Sequence, residues 1–167
     1  MAAKMPGKAF EHHMRASMQH AGWFPERLPD HPNQHVLSTG DLMAELPDGR
    51  HVFVECKARK VPRFSRSGIT FSEHDRTQLE HLARKAREWP NAFIGVAVEL
   101  REESNGRAIW RAAWMLDVAK VWEHMQATGT KGVNREWLVT NAWEIPWLGN
   151  GIYDLEGWSV WHNERSQ

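Results

Sequence analysis

The sequence predicts an α/β domain in which helices flank a mixed central β-sheet. Two kinds of segment support this prediction. Residues 8–21 and 73–88 have helical apolar spacing, whereas 50–58 and 92–100 are short apolar runs rich in β-branched residues. The second run is apolar without alternation, which is typical of a central strand buried on both faces. With 167 residues, 41% hydrophobic, the chain is long enough for one domain with its own core.

The first helix is predicted over residues 8–21, where the apolar Phe10, Met14 and Met18 form one stripe together with Ser17. Gly22 is a suitable residue for its C-terminal end. Three prolines then indicate a loop with a short strand over residues 23–35.

A β-hairpin follows the loop. Residues 36–46 and 50–58 are predicted strands, and Pro47-Asp48-Gly49 is the tight turn between them. A basic loop at 59–72 leads into the helix at 73–88, for which Ser72 is the candidate N-cap.

In the second half, residues 92–100 pair with a strand at 107–116 across the turn Ser104-Asn105-Gly106. Residues 117–127 are a predicted helix. The segment NREWLVT, residues 134–140, is a predicted strand, and 141–167 is predicted to be Trp-rich and irregular.

Composition excludes several classes of protein. No uncharged apolar run is long enough to span a membrane, and the N-terminus lacks the apolar core of a signal peptide. The single cysteine, Cys56, excludes an internal disulfide and a cysteine-cluster zinc site. We therefore expect an intracellular, cytoplasmic protein. The ten tryptophans favour a core or a subunit interface over base stacking.

The stretch HVFVECKARK, residues 51–60, carries the candidate chemistry. Side chains two residues apart on a strand share a face, so Glu55 and Lys57 would lie side by side. The hairpin would place Asp41 roughly opposite Glu55, and like charges at opposite positions destabilise a sheet. A Mg²⁺ ion between the two carboxylates would reverse that cost. The arrangement suits metal-dependent phosphodiester hydrolysis, although a surface ion pair would give the same local pattern.

The order Asp41 … Glu55-Cys56-Lys57 resembles the signature of the PD-(D/E)XK nuclease superfamily. The segment GKAFEHHMRASMQHAGW also resembles the first helix of archaeal-type Holliday junction resolvases, with Glu11 in the position of their acidic residue. The resemblance covers roughly residues 5–117. It implies a restriction-endonuclease-like core at residues 1–127. A C-terminal extension, residues 128–167, would pack on that core or at a dimer interface.

The resemblance further implies the roles of individual residues. Asp41, Glu55 and the backbone carbonyl of Cys56 would bind Mg²⁺, for which Mn²⁺ could substitute. Glu11 would complete the acidic cluster directly or through water, and Lys57 would be the catalytic lysine. The four catalytic candidates are thus Glu11, Asp41, Glu55 and Lys57.

The implied substrate is branched DNA, and two symmetric nicks in a four-way junction require two active sites, hence a homodimer. The protein would act in a prokaryotic or phage-infected cell, without a membrane or a small-molecule cofactor. Basic side chains near the site would contact phosphates, and a helix glutamine would lie close by. The candidate DNA-binding residues are Lys8, Arg15, Arg27, Arg59, Lys60, Arg63, Arg66 and Gln78.

Two alternatives remain open from the sequence. One is another endonuclease of the same superfamily, of the restriction or repair type. The other is a non-catalytic DNA-binding protein on the same fold, which would have no need for the acidic cluster. The formal net charge of zero argues weakly against a polyanionic partner, although a local basic patch would suffice.

Overall fold

The computed structural model describes residues 6–28, 40–62 and 68–165. The helices are α1 (Pro6–His20), α2 (Glu73–Glu88), α3 (Val118–Thr128), α4 (Arg135–Asn141) and α5 (Glu156–Arg165). The strands are β1 (Phe24–Arg27), β2 (Leu42–Glu45), β3 (His51–Lys60), β4 (Gly68–Thr70), β5 (Ala92–Ser104), β6 (Arg107–Asp117), β7 (Gly132–Asn134), β8 (Trp143–Ile145), β9 (Trp147–Gly149) and β10 (Ile152–Tyr153).

The central sheet has six strands in the order β1-β2-β3-β5-β6-β8. Only β3 and β5 pair in parallel, and the other neighbours are antiparallel. This arrangement confirms the predicted α/β class with a mixed sheet flanked by helices. Two small two-stranded sheets, β4-β7 and β9-β10, lie beside it. No helix in the described ranges is long and apolar enough to cross a membrane.

The sheet carries a separate apolar layer on each face. On one face the α1 stripe packs against β2 and β3 and against Tyr153 and Trp158 of the C-terminal extension. On the other face α2 and α3 pack against β5 and β6. The middle of β5, from Ile94 to Leu100, is buried throughout, as its uninterrupted apolar run predicts. The described part of the extension therefore lies against the core.

The first helix and the hairpin form as predicted. Helix α1 ends at His20, and Gly22 follows with a φ of 78° that glycine tolerates without strain. The Trp23 amide donates to the Met18 carbonyl, which closes the helix with a Schellman-type bond. Strands β2 and β3 pair antiparallel, with Leu42 opposite Val54.

Several sequence predictions of local structure are wrong or incomplete. NREWLVT is not a strand, because Asn134 caps a helix by accepting from the Trp137 amide at 2.8 Å, and α4 follows. The tail is more regular than predicted, since it contains α5 and three short strands. Strand β3 continues through Lys60, into the predicted loop. Part of the strand predicted at 36–46, residues 36–39, and part of the basic loop, residues 63–67, lie outside the described residues.

Candidate active site

Asp41 is held against β3 by a close approach of two backbones. A Cβ on Gly40, the residue before it, would lie 3.0 Å from the Val54 carbonyl group, and the φ of Gly40 is 130°. The Asp41 amide donates to the Val54 carbonyl at 2.9 Å. The Asp41 carboxylate accepts from the Cys56 amide at 2.7 Å. Any larger residue at position 40 would push this carboxylate away from β3.

Glu55 and Lys57 lie on the same face of β3, as their spacing predicts. The Lys57 ammonium is 2.6 Å from Glu55 Oε1. Only 4% of Glu55 is exposed, so this pair is buried and is not the surface ion pair that the sequence left open. In the register of β3 and β5, Glu55 stands beside Val96, whose side chain belongs to the apolar layer under α2 and α3.

Helix α2 supplies the other half of the site. Ser72 caps the helix by accepting from the Asp75 amide at 3.1 Å. The Asp75 carboxylate lies 3.3 Å from the Lys57 ammonium and also accepts from Arg59. One turn later, Gln78 Oε1 accepts from Lys57 at 2.9 Å. Both helix side chains are buried, because positions three apart lie on the same face of the helix.

The carboxyls of Asp41 and Glu55 are poorly stabilised as anions. Burial and the neighbouring charges of Glu55 and Glu11 raise the pKa of Asp41 to about 7. Burial also raises the pKa of Glu55, and hydrogen bonds from Lys57 and Gln78 oppose this without cancelling it. Carboxyl pKa values raised by burial and by neighbouring charges are characteristic of functional sites.

The charges on the α2 side are well compensated by comparison. Burial favours the neutral form of Lys57, but the carboxylates of Glu55 and Asp75 outweigh it and raise the lysine pKa. Burial likewise works against the Asp75 anion, yet Lys57 and Arg59 lower the pKa of Asp75. Lys57 is therefore an ammonium at neutral pH.

The residues present fit a hard divalent cation. Glu55 Oε2 is buried and has no hydrogen-bond partner among the described residues. A cation between Asp41 and Glu55 would satisfy that oxygen and relieve the repulsion between the two carboxylates. Within the described ranges no three His, Cys, Asp or Glu side chains are grouped closely enough to hold a metal ion alone. Glu11 is instead 2.7 Å from Arg27 Nε.

The predicted DNA-binding residues fall into four groups. Lys8 and Arg15 are exposed on α1. Three others, Arg27, Arg59 and Lys60, are paired with acids. Lys60 Nζ, for example, lies 2.7 Å from Glu103 Oε2. Arg63 and Arg66 lie outside the described residues. Gln78, placed with this set by the sequence, is buried against Lys57.

Sequence reasoning missed Asp75 as a site residue. An acid in the first turn of a helix is ordinarily explained by the helix dipole, so the position of Asp75 does not by itself indicate a site. Its position three residues before Gln78 was the available signal, because both side chains then face β3.

The mixed sheet and its flanking helices define the fold, and this fold is found in a solved Holliday junction resolvase. A solved structure that the chain resembles is Hjc from Archaeoglobus fulgidus, a Holliday junction resolvase from an archaeal hyperthermophile. The two superpose with a TM-score of 0.51 at 18% identity, covering 79% of this chain and 89% of that chain. No protein-family model matches the sequence, and no curated protein is significantly similar to it.

Proposed function

We propose that the protein is a Mg²⁺-dependent, structure-selective endodeoxyribonuclease that resolves four-way DNA junctions by paired symmetric nicks. One observation carries the proposal. Two carboxyls, the buried Glu55 and the half-buried Asp41, both have raised pKa values close to the Lys57 ammonium. A protein that used these residues only for stability would gain by replacing them, because uncompensated buried charge is destabilising.

Asp41, Glu55 and the Cys56 carbonyl would hold the metal ion in this proposal. When bound, the ion would supply charge neutralisation at the scissile phosphate and make water a stronger nucleophile. Lys57 would place a positive charge beside the reacting phosphate, since its raised pKa keeps it protonated. Glu11 lies near enough to Asp41 to raise its pKa, and it would add negative charge on that side of the metal site although it is also paired with Arg27.

Exposed cations around the site would contact the phosphate backbone without reading sequence. Lys8 and Arg15 on α1 are free to do so, and Arg59 lies next to Lys57 on β3. The choice of a branched substrate draws on the shared fold, because the neighbour of that fold is a Holliday junction resolvase. Paired nicking of a two-fold symmetric junction would require a C2 homodimer.

The test uses a supercoiled plasmid that extrudes a cruciform, beside the same plasmid without one. In Mg²⁺ we expect linear product from the cruciform plasmid alone, because two nicks made within one binding event linearise the circle. Chelation by EDTA should abolish the product. A Glu55→Gln variant should bind the junction but cut nothing, since it removes one proposed metal ligand with little change in shape.

Glu45→Gln is the matched control, because Glu45 is an exposed glutamate on the neighbouring strand β2. It should cut as the wild type does. Linearisation of both plasmids would support the alternative of another endonuclease of this superfamily. Nicked circles without linear product would contradict paired cutting by a dimer. Junction binding with no cleavage in Mg²⁺ or Mn²⁺ would favour the non-catalytic alternative.

A further inference from the structure

We propose that Asp75 is a positioning residue of this site, whose carboxylate holds the Lys57 ammonium and the Arg59 guanidinium side by side. The inference rests on the proposed function for its catalytic meaning. Asp75 contributes no group to the proposed metal site and acts through its two basic partners.

Lys57 is held by three acceptors from two different elements. An ammonium has three donors, and those of Lys57 face Glu55 Oε1 at 2.6 Å, Gln78 Oε1 at 2.9 Å and Asp75 Oδ1 at 3.3 Å. A lysine side chain has four flexible methylenes, so a single partner on its own strand would leave the ammonium free to swing. The two partners on α2 remove that freedom.

Asp75 has a second partner and is itself fixed. Its other oxygen, Oδ2, accepts from Arg59, which follows Lys57 on the same face of β3. Its amide is fixed by the Ser72 cap, and only 5% of the residue is exposed. One carboxylate therefore joins two strand cations to the start of a rigid helix.

The helix start gives the Asp75 carboxylate one further contact, with the Ser72 side chain, but this contact does not account for the burial of Asp75 against β3. Ser72 is the N-cap, and Glu73 already supplies an exposed acid in the first turn. A carboxylate serving only the helix dipole would gain nothing from burial. The burial of Asp75 and its direction toward β3 are explained by the two cations that it contacts.

The first experiment separates positioning from binding by comparing Asp75→Asn with wild type in single-turnover junction cleavage. We expect the cleavage rate to fall about 100-fold, the size of effect that a displacement near 1 Å produces. Junction affinity measured in EDTA should not weaken, because the substitution removes a negative charge beside a phosphate-binding surface. The matched control, Glu73→Gln, removes the same charge from the exposed side of the same turn and should change neither value.

The second experiment needs no catalysis. The denaturant midpoint is measured in EDTA for wild type, Asp75→Asn, Lys57→Met and the double variant. If Asp75 holds Lys57, the shift caused by Asp75→Asn should shrink clearly when Lys57 is already absent. Equal shifts in the two backgrounds would overturn the proposal. Should Asp75→Asn lack a cooperative transition, Asp75→Glu replaces it in both experiments.

The two readouts distinguish this proposal from the proposed function. A wild type that cuts no DNA would end the proposed function, while the unfolding cycle would still decide whether Asp75 holds Lys57. A wild type that cuts, together with Asp75→Asn cutting at the same rate, would overturn the positioning role alone. A loss of junction affinity matching the loss of rate would also overturn it, because Asp75 would then act on binding.

Discussion

Two buried glutamates lie on neighbouring strands of the same sheet, Glu55 on β3 and Glu99 on β5. They are 4% and 1% exposed, so both are carboxyls that folding removes from water. In the parallel register Glu99 stands beside Ala58, three positions along β3 from Glu55, and its side chain points to the opposite face of the sheet. Burial of a carboxyl is therefore common to both, and the difference lies in their partners.

Glu99 is surrounded by donors. Its Oε1 is 2.8 Å from Arg101 Nε, and its Oε2 accepts from the Tyr153 hydroxyl and lies 3.7 Å from Arg111 Nη1. Arg111 in turn covers the ring of Trp147 at 4.1 Å. The cluster joins β5 and β6 to the C-terminal extension, so its evident role is to hold that segment on the core.

Glu55 has much poorer compensation. It shares the Lys57 ammonium with Asp75 and has Gln78 as its other hydrogen-bond partner. It also stands near a second carboxyl on Asp41 and leaves Oε2 without a hydrogen bond in the described ranges. Buried charges maintained for stability are paired. Burial of an acid alone therefore does not indicate a functional site, whereas burial with too few hydrogen-bond and charge partners does.

The largest expected effect separates the two glutamates by stability. Glu99→Gln should lower the free energy of unfolding by about 3–5 kcal/mol, because it removes the carboxylate that Arg111 contacts and the nearer of the two that Arg101 contacts. Glu55→Gln should change it by less than about 1 kcal/mol, since Lys57 keeps Asp75 and Gln78 as partners. Denaturant unfolding in EDTA measures both.

In DNA cleavage the substitution with the smaller effect on stability, Glu55→Gln, should have the larger effect on activity. Under conditions where Glu99→Gln is folded, it should cut the cruciform plasmid, and Glu55→Gln should not. Equal stability losses in the two variants would show that the Glu55 cluster is structural, and the comparison would then have no functional meaning.

A smaller effect is expected in the pH dependence of stability. The Asp41 pKa is raised to about 7, so the folded protein keeps this proton up to neutral pH, whereas the unfolded chain releases it near pH 3.8. Between these values the folded state binds more protons, and the free energy of unfolding falls as the pH rises. Asn at position 41 has no proton to lose. In EDTA, Asp41→Asn should therefore gain about 2–4 kcal/mol over wild type between pH 4 and pH 8.

That gain should be absent below pH 4, where Asp41 is protonated in both states. The difference between the two pH profiles isolates Asp41 from the histidines, which titrate in both proteins. Parallel profiles would mean that Asp41 ionises normally in the fold, and the contrast with Glu99 would then rest on Glu55 alone.

Much of the fold was predictable because it follows from local signals. The stripe on α1, the Pro47-Asp48-Gly49 turn and the apolar run of β5 each determine an element without reference to the rest of the chain. The error at residues 134–140 has the same origin. The segment is a predicted strand, but the Asn134 cap, a single hydrogen bond, begins a helix there.

The candidate site was predictable only along the strands. The period of two places Glu55 beside Lys57, and the hairpin brings Asp41 to both. Helix α2 reaches β3 through a tertiary contact. The spacing of residues along the chain therefore predicts neither the Lys57–Asp75 pair nor the burial of Gln78. The Glu99 cluster was not foreseen at all, because Tyr153 lies 54 residues away in sequence.

The smallest effect tests how completely Glu99 is satisfied. Tyr153→Phe should lower the free energy of unfolding by about 1–3 kcal/mol, since it removes one buried donor while the two guanidinium groups stay. Combined with Glu99→Gln, it should cost less than the sum of the single changes, because both act on one network.

Tyr153 is the only tyrosine, so its ionisation can be followed directly. Burial and the adjacent Glu99 carboxylate raise its pKa above the ordinary value of 10. The folded state thus keeps the phenol proton longer than the unfolded chain, and stability should fall as the pH rises above 10. Phenolate absorbance should appear only together with unfolding. Ionisation of Tyr153 in the folded protein near pH 10 would mean that Glu99 is not sealed from water, and the two glutamates would then differ less than their contacts indicate.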